Sequence, residues 1–289
     1  MKRKEIKKGP ICFYTFTIMN IRILITLFAL FLTCFTNCIT EEAPISELSG
    51  TAENSLIIDS VSFEMDAIVI ADSICALEEY LIREGMVNIQ ELDSTILVEL
   101  KYSTEDNFMK KDMYGCLEKC YLQPDVAERL LLCQAYLKEK DSTLTLLLYD
   151  GVRPRSVQQY MWDILDMPIN EKTQFVSNPK KGSLHNFGAA IDITLANSKT
   201  QVALDMGADY DQIGIISWPI KEKIMLDKGL LTINQIDNRK LLRRSMRAGK
   251  FFNIQTEWWH FNACNRNSAY MKYKIIEGLS SNVSITKEN

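Results

Sequence analysis

Ser183-Leu184-His185-Asn186-Phe187-Gly188-Ala189-Ala190-Ile191-Asp192 is the stretch on which the reading of this chain turns. It holds one of only two histidines in 289 residues, and the second closes Glu257-Trp258-Trp259-His260. Gly182 to Gly188 reads as a loop, and the segment becomes a strand near Ala189. Side chains alternate along a strand, so Ala190, Asp192 and Thr194 share a face, with small neighbours that leave room beside Asp192 for an ion. Two neutral imidazoles and one carboxylate, His185, His260 and Asp192, form the ligand set of a catalytic zinc, whose fourth position stays open for water. Structural zinc sites are mostly cysteine-rich and closed, and no cysteine has the spacing for that. Glu257, three residues before His260, is the carboxylate placed to take a proton from such a water. On a straight strand Glu257 and His260 would face opposite ways, so a bend between them, or a loop position for Glu257, is expected.

The elements around this stretch alternate in type. Val87-Asn88-Ile89 and Ile96 to Tyr102 read as strands with a turn at Asp93-Ser94. Pro124 opens a helix to about Lys138, with Val126, Leu130, Cys133 and Leu137 on one face. Leu144 to Tyr149 is a buried strand stopped by Asp150-Gly151-Val152-Arg153-Pro154, and Ser156 to Leu165 is a short helix. Val202 to Gly214 is an acidic loop, Asn238 to Ala248 a basic helix ended by Gly249, and Phe251 to Ile254 and Trp258 to Phe261 are strands. The fold class expected is α+β: a small antiparallel sheet with helices packed on it, in a single domain over 86–289.

Before that domain, 1–38 carries a basic start and the apolar run Ile23 to Leu32, too short to span a bilayer and patterned like a secretory signal. Cys34 and Cys38 follow it, each an imperfect match to a lipidation site, so a cleaved signal and a lipid anchor are both open. Residues 39–85 are expected to be a polar tether followed by an accessory helix over Val61 to Ile82. Five cysteines lie beyond the signal, an odd number, and Cys116 and Cys120 are close enough to pair if geometry allows. Net charge is -4 over the whole chain. Six basic and one acidic side chain fall within 1–38, and without them 27 basic face 36 acidic groups. That balance excludes nucleic acid as a partner. An exported chain, in the periplasm or cell envelope, is the expectation, with membrane attachment through the N-terminus.

Taken together, Ser183-x-His185-x-x-Gly188-x-Ala190-x-Asp192 and Glu257-x-x-His260 resemble the zinc D,D-peptidase superfamily. Four further stretches resemble its D-alanyl-D-alanine dipeptidase branch: Leu100 to Phe108, Tyr149 to Pro154, Met206 to Asp211 and Asn238 to Arg243. The likeness spans roughly Met86 to Asn262, departing at Val152 and in a cysteine-bearing insertion near Tyr114. It implies one zinc per chain held by His185, Asp192 and His260, with Glu257 as general acid and base. It implies Arg153 as the guanidinium that stabilises the oxyanion, and Asp211 as the acceptor of a free ammonium. Ser183, Tyr102 and Asp150 would line the substrate site. The activity implied is hydrolysis of D-Ala-D-Ala to two D-alanines, in peptidoglycan precursor turnover or glycopeptide resistance. Two alternatives share the motif: a D,D-carboxypeptidase or endopeptidase acting on stem peptides, and a catalytically silent, zinc-stabilised binding protein.

Overall fold

The computed structural model describes residues 75–279. The signal or anchor expected over 1–38, the tether, and the first part of the helix expected over Val61 to Ile82 lie outside them. The end of that helix is present as α1 (Ala76–Arg83). Leu77 and Leu81 of α1 are buried in the main core, so 76–83 is part of the folded body rather than an appendage. A disulfide between Cys75 and Cys116 ties its start to the body. Cys120, considered above as a partner of Cys116, is instead a buried free thiol.

After α1 come β1 (Val87–Asn88), α2 (Ile89–Leu92) and β2 (Leu97–Val98). Both strands are shorter than expected. Asn88 ends β1 because its Oδ1 accepts from Gln90 N and caps α2. β2 gives way at Lys101–Ser103 to a 3-10 turn that buries the Tyr102 ring. β3 (Tyr121–Leu122) pairs antiparallel with β1. α3 (Pro124–Lys140) starts on its proline and buries Val126, Ala127, Leu130, Cys133, Gln134 and Leu137, the face foreseen plus Ala127 and Gln134.

β4 (Leu144–Asp150) is buried along its whole length, and α4 (Arg155–Ile164) and α5 (Ile169–Lys172) follow it. β5 (Ala190–Asn197) leads through a loop to α6 (Glu222–Asp227) and α7 (Ile233–Ala248). α7 begins five residues earlier than its basic stretch indicates, because Thr232 and Gln235 form a reciprocal cap, Gln235 N donating to Thr232 Oγ1 and Thr232 N to Gln235 Oε1. β6 (Phe252–Asn253), β7 (His260–Asn262) and α8 (Arg266–Lys272) complete the described chain.

The main sheet runs β2-β4-β5-β7-β6, antiparallel throughout except for the parallel β2–β4 edge. α3 and α7 pack together over it. Fully buried Leu146 and Leu148 each contribute roughly 1.5–3 kcal/mol by leaving water. Gly249 ends α7 as expected, yet not through a left-handed turn. A Cβ there would lie 2.3 Å from Arg129 O and 2.5 Å from Cys133 Sγ, so the absence of a side chain is what lets the helix end approach α3.

Candidate metal centre

Strand register assembles the site. Asp150 of β4 pairs with Asp192 of β5, and Asp192 pairs with His260 of β7, so three functional groups from distant sequence stand in one row across adjacent strands. His185 arrives from a 3-10 turn, Leu184–Phe187, ended by Gly188 in the left-handed region at φ 64°. A Cβ on Gly188 would also meet Val152 Cγ2 at 2.8 Å, so the turn closes tightly over Val152, the position where the sequence leaves the familiar pattern. Gln158 and Asn186 brace this turn: Ser183 Oγ and Asn186 Nδ2 both donate to Gln158 Oε1, and Asn186 Nδ2 also donates to Arg153 O.

Three atoms converge. His185 Nε2 lies 3.2 Å from His260 Nδ1 and 3.4 Å from Asp192 Oδ1, while His260 Nδ1 is 2.9 Å from Asp192 Oδ1. Three donors at ~2.0–2.2 Å from a tetrahedral ion stand roughly 3.3–3.6 Å apart, so this triangle needs little adjustment to hold zinc. The other ring nitrogens are engaged in the manner typical of metal-binding imidazoles. His185 Nδ1 donates to the Gly151 carbonyl at 2.8 Å, which leaves Nε2 with its lone pair. His260 Nε2 donates to Asn262 Oδ1 at 2.9 Å. Asp192 turns its second oxygen, Oδ2, to the Tyr210 hydroxyl at 2.9 Å.

Electrostatics agree with the donor set. Burial opposes charge on Asp192, yet His185 and His260 hold its carboxyl well below the usual range. Burial also opposes the His260 imidazolium, but the Asp192 hydrogen bond pushes it up to about 9. Positive charge is thus strongly favoured at this point.

Residues 83–277 match the family described as D-ala-D-ala dipeptidase, Peptidase M15. The chain belongs to that family. It is 31% identical over 176 residues to a D-alanyl-D-alanine dipeptidase of Escherichia coli (strain K12), covering 61% of this chain and 83% of that protein. Similarity extends to the D-alanyl-D-alanine dipeptidase of Enterococcus faecium, 27% identical over 194 residues (61% of this chain, 90% of that protein). That of Streptomyces coelicolor is 28% identical over 190 residues, covering 60% of this chain and 88% of that protein. This member of the family is a metallopeptidase, and its mixed α and β architecture accords with that assignment.

The remaining candidate residues fall into two groups. Glu257 lies in the bend before β7, so the strand expected from Trp258 starts only at His260. The bend turns Glu257 Oε2 to within 4.0 Å of His260 Nδ1. Its side chain is 30% exposed, and crowding by protein pushes its carboxyl above the ordinary value. Arg153 gives Nε and Nη2 to Asp150 Oδ2 at 2.9 and 2.5 Å, lies with its guanidinium 4.6 Å from the Tyr102 ring centre, and brings Nη2 to 3.6 Å from Asp192 Oδ2. Asp211 Oδ2 accepts from the Tyr102 hydroxyl at 2.9 Å, and burial pushes its carboxyl well above the usual range. These three border the triad.

Asp150 and Ser183 stand behind it. Asp150 is fully buried and engaged by Arg153, by the Tyr114 hydroxyl at 2.6 Å and by Gly151 N at 2.9 Å, and Ser183 is committed to Gln158. Both hold their neighbours in place. Sequence reasoning missed Tyr210, Asn262 and Tyr114. Asn262 was findable, because it is two residues after His260 on a strand and so shares its face. Tyr210 and Tyr114 reach the site through loops and carry no periodic signal.

Proposed function

We propose that this chain is a zinc-dependent dipeptidase that hydrolyses D-Ala-D-Ala to two D-alanines. The observation that carries the reading is the convergence of His185 Nε2, Asp192 Oδ1 and His260 Nδ1 with Glu257 on the adjoining side. Bound there, zinc supplies Lewis acidity, lowering the pKa of a water towards ~7 and polarising a carbonyl. Glu257 accepts the proton released by the attacking water and returns it to the amine that leaves. A carboxyl raised by its surroundings suits that exchange, since it holds a proton more readily than an exposed glutamate would. Arg153, fixed by Asp150 and stacked on Tyr102, offers a permanently charged donor to the developing oxyanion, with Nη1 taking no part in the Asp150 pair. Asp211 receives the substrate's ammonium, whose charge offsets what burial costs the carboxylate. A free amine is then what selects a dipeptide.

Export to the cell envelope, lipid-anchored or with a cleaved signal, is part of the same proposal. The basic and apolar start of the chain supports it, as does the Cys75–Cys116 disulfide, which persists in oxidising compartments. Removing D-Ala-D-Ala there would serve peptidoglycan precursor turnover or glycopeptide resistance. D-alanine release from the free dipeptide, with and without chelator, tests the reaction. Release that stops on chelation and returns with zinc is expected, and no release from zinc-loaded protein would overturn it.

A further inference from the structure

Tyr210 and Asp211 reach the metal centre on a loop that α7 holds from behind. The main chain from Met206 to Ile216 braces itself with little: Gln212 N donates to Asp209 O at 3.3 Å. Its ends are fastened to the helix instead. Arg239 of α7 is fully buried and donates from Nε to Met206 O at 2.7 Å and from Nη1 to Ile216 O at 2.9 Å. One guanidinium thus ties both feet of the loop. Two more side chains on that face of α7 hold the residue just before it, Asn238 Nδ2 donating to Asp205 O at 2.9 Å and Gln235 Nε2 to Asp205 Oδ2 at 2.8 Å. Gly207 lets the loop lie this close to the helix, since a Cβ there would stand 2.3 Å from Leu231 Cδ2 and 2.7 Å from Gln235 Oε1.

A buried guanidinium is a costly way to fill space. Burial lowers the pKa of Arg239 to about 10, with Glu222 opposing the change only in part, and Nη2 has no hydrogen-bond partner in the protein. Glu222 is itself engaged by Arg243 at 2.6 and 2.7 Å and stays 3.9 Å from Arg239 Nη1. An apolar side chain of that length would avoid the desolvation but would leave both loop carbonyls without a donor. The two residues the loop delivers depend on the clamp unequally. Tyr210 is also fixed by ring contacts with Tyr149, Trp259 and Tyr102, at centroid distances of 5.1, 5.5 and 6.2 Å. Asp211, in the left-handed region at φ 58°, is held through the Tyr102 hydroxyl, so its place follows the main chain.

We propose that Arg239 is a positioning residue for Asp211, setting the carboxylate where it meets the substrate's ammonium; the inference rests on the dipeptidase reading above. Arg239→Met removes both donors yet leaves Glu222 paired with Arg243, and one zinc per chain is expected to remain. The variant is expected to keep kcat within about twofold while KM for D-Ala-D-Ala rises about 10-fold, as when a charge-assisted contact is lost from ground and transition state alike. Arg239→Lys, which keeps a charge and donors, is expected to lie between parent and Arg239→Met, and replaces the latter if it does not fold. In an Asp211→Asn background, Arg239→Met is expected to leave KM within about twofold, because the contact it sets is already gone. Hydrogen exchange in the zinc-loaded, substrate-free protein is expected to quicken over 206–216 and not in β4. KM effects that multiply in the double variant, a fall in kcat with KM unchanged, or unaltered exchange over 206–216 overturns the inference and leaves the dipeptidase reading standing. No D-alanine from the zinc-loaded parent overturns that reading, and this inference with it.

Discussion

Glu257 is in reach of the triad only because the backbone bends before β7, and its substitution separates binding of metal from chemistry. Glu257→Ala is expected to retain one zinc per chain and to lose turnover by about 10²–10⁴-fold, checked by metal analysis beside D-alanine release. Arg153 behaves differently, because it neutralises a fully buried carboxylate. Arg153→Ala is expected to cut turnover about 10²–10³-fold and also to destabilise by about 3–5 kcal/mol, since Asp150 is left uncompensated; denaturant unfolding measures the second effect. Asp211 carries a pH signature. Its folded pKa is raised, so the native state holds its proton where the unfolded chain has released it, and this site's contribution to stability falls as pH rises from the unfolded value through the folded one. Asp211→Asn is therefore expected to raise Tm more at pH 8 than at pH 4 while raising KM for D-Ala-D-Ala. Asparagine is the apt replacement, because residue 211 sits at φ 58° and Asn tolerates that region. That His185, Asp192, His260 and Glu257 come together was legible in the sequence, because histidine is so scarce and the motif spacing so specific. Tyr210 was hidden, since nothing about a tyrosine in an acidic loop says which carboxylate its hydroxyl will meet.

At the scale of elements, the site is held by strand register and by short turns. Asn262, alternating with His260 on β7, fixes the imidazole through Nε2. Asn262→Ala is expected to weaken zinc about 10–100-fold with the fold intact, read by competition with a chromophoric chelator. The long elements were readable: α3 from its proline and apolar face, β4 from its unbroken run of apolar residues. Short ones were not. Ile96 to Tyr102 has the composition of a strand, but only Leu97–Val98 pairs, because the chain must turn at Lys101 to bring Tyr102 beneath Arg153. The Trp258–Phe261 strand loses its first two residues to the bend that presents Glu257. In each case a tertiary contact overrides local propensity.

For the whole molecule, the Cys75–Cys116 bond closes a loop with a sequence separation of 41 and joins α1 to the segment bearing Tyr114, whose hydroxyl holds Asp150. Removing the bond by Cys75→Ala with Cys116→Ala is expected to cost about 2–4 kcal/mol, measured by thermal unfolding of the double variant. The pairing itself lay beyond the sequence, where Cys120 stood closer to Cys116 than Cys75 does. The α+β class was within reach, because strand and helix patterns alternate along the chain; the parallel β2 edge was not, because two paired residues leave no pattern. What unites residue, element and fold is the convergence of His185, Asp192 and His260, which we propose holds a single ion. Anomalous diffraction at the zinc edge from crystals of the metal-loaded protein tests this most directly. One peak is predicted, ~2.0–2.2 Å from His185 Nε2, Asp192 Oδ1 and His260 Nδ1. A peak bound elsewhere, on the free cysteines for instance, or no peak within reach of all three atoms, would contradict it.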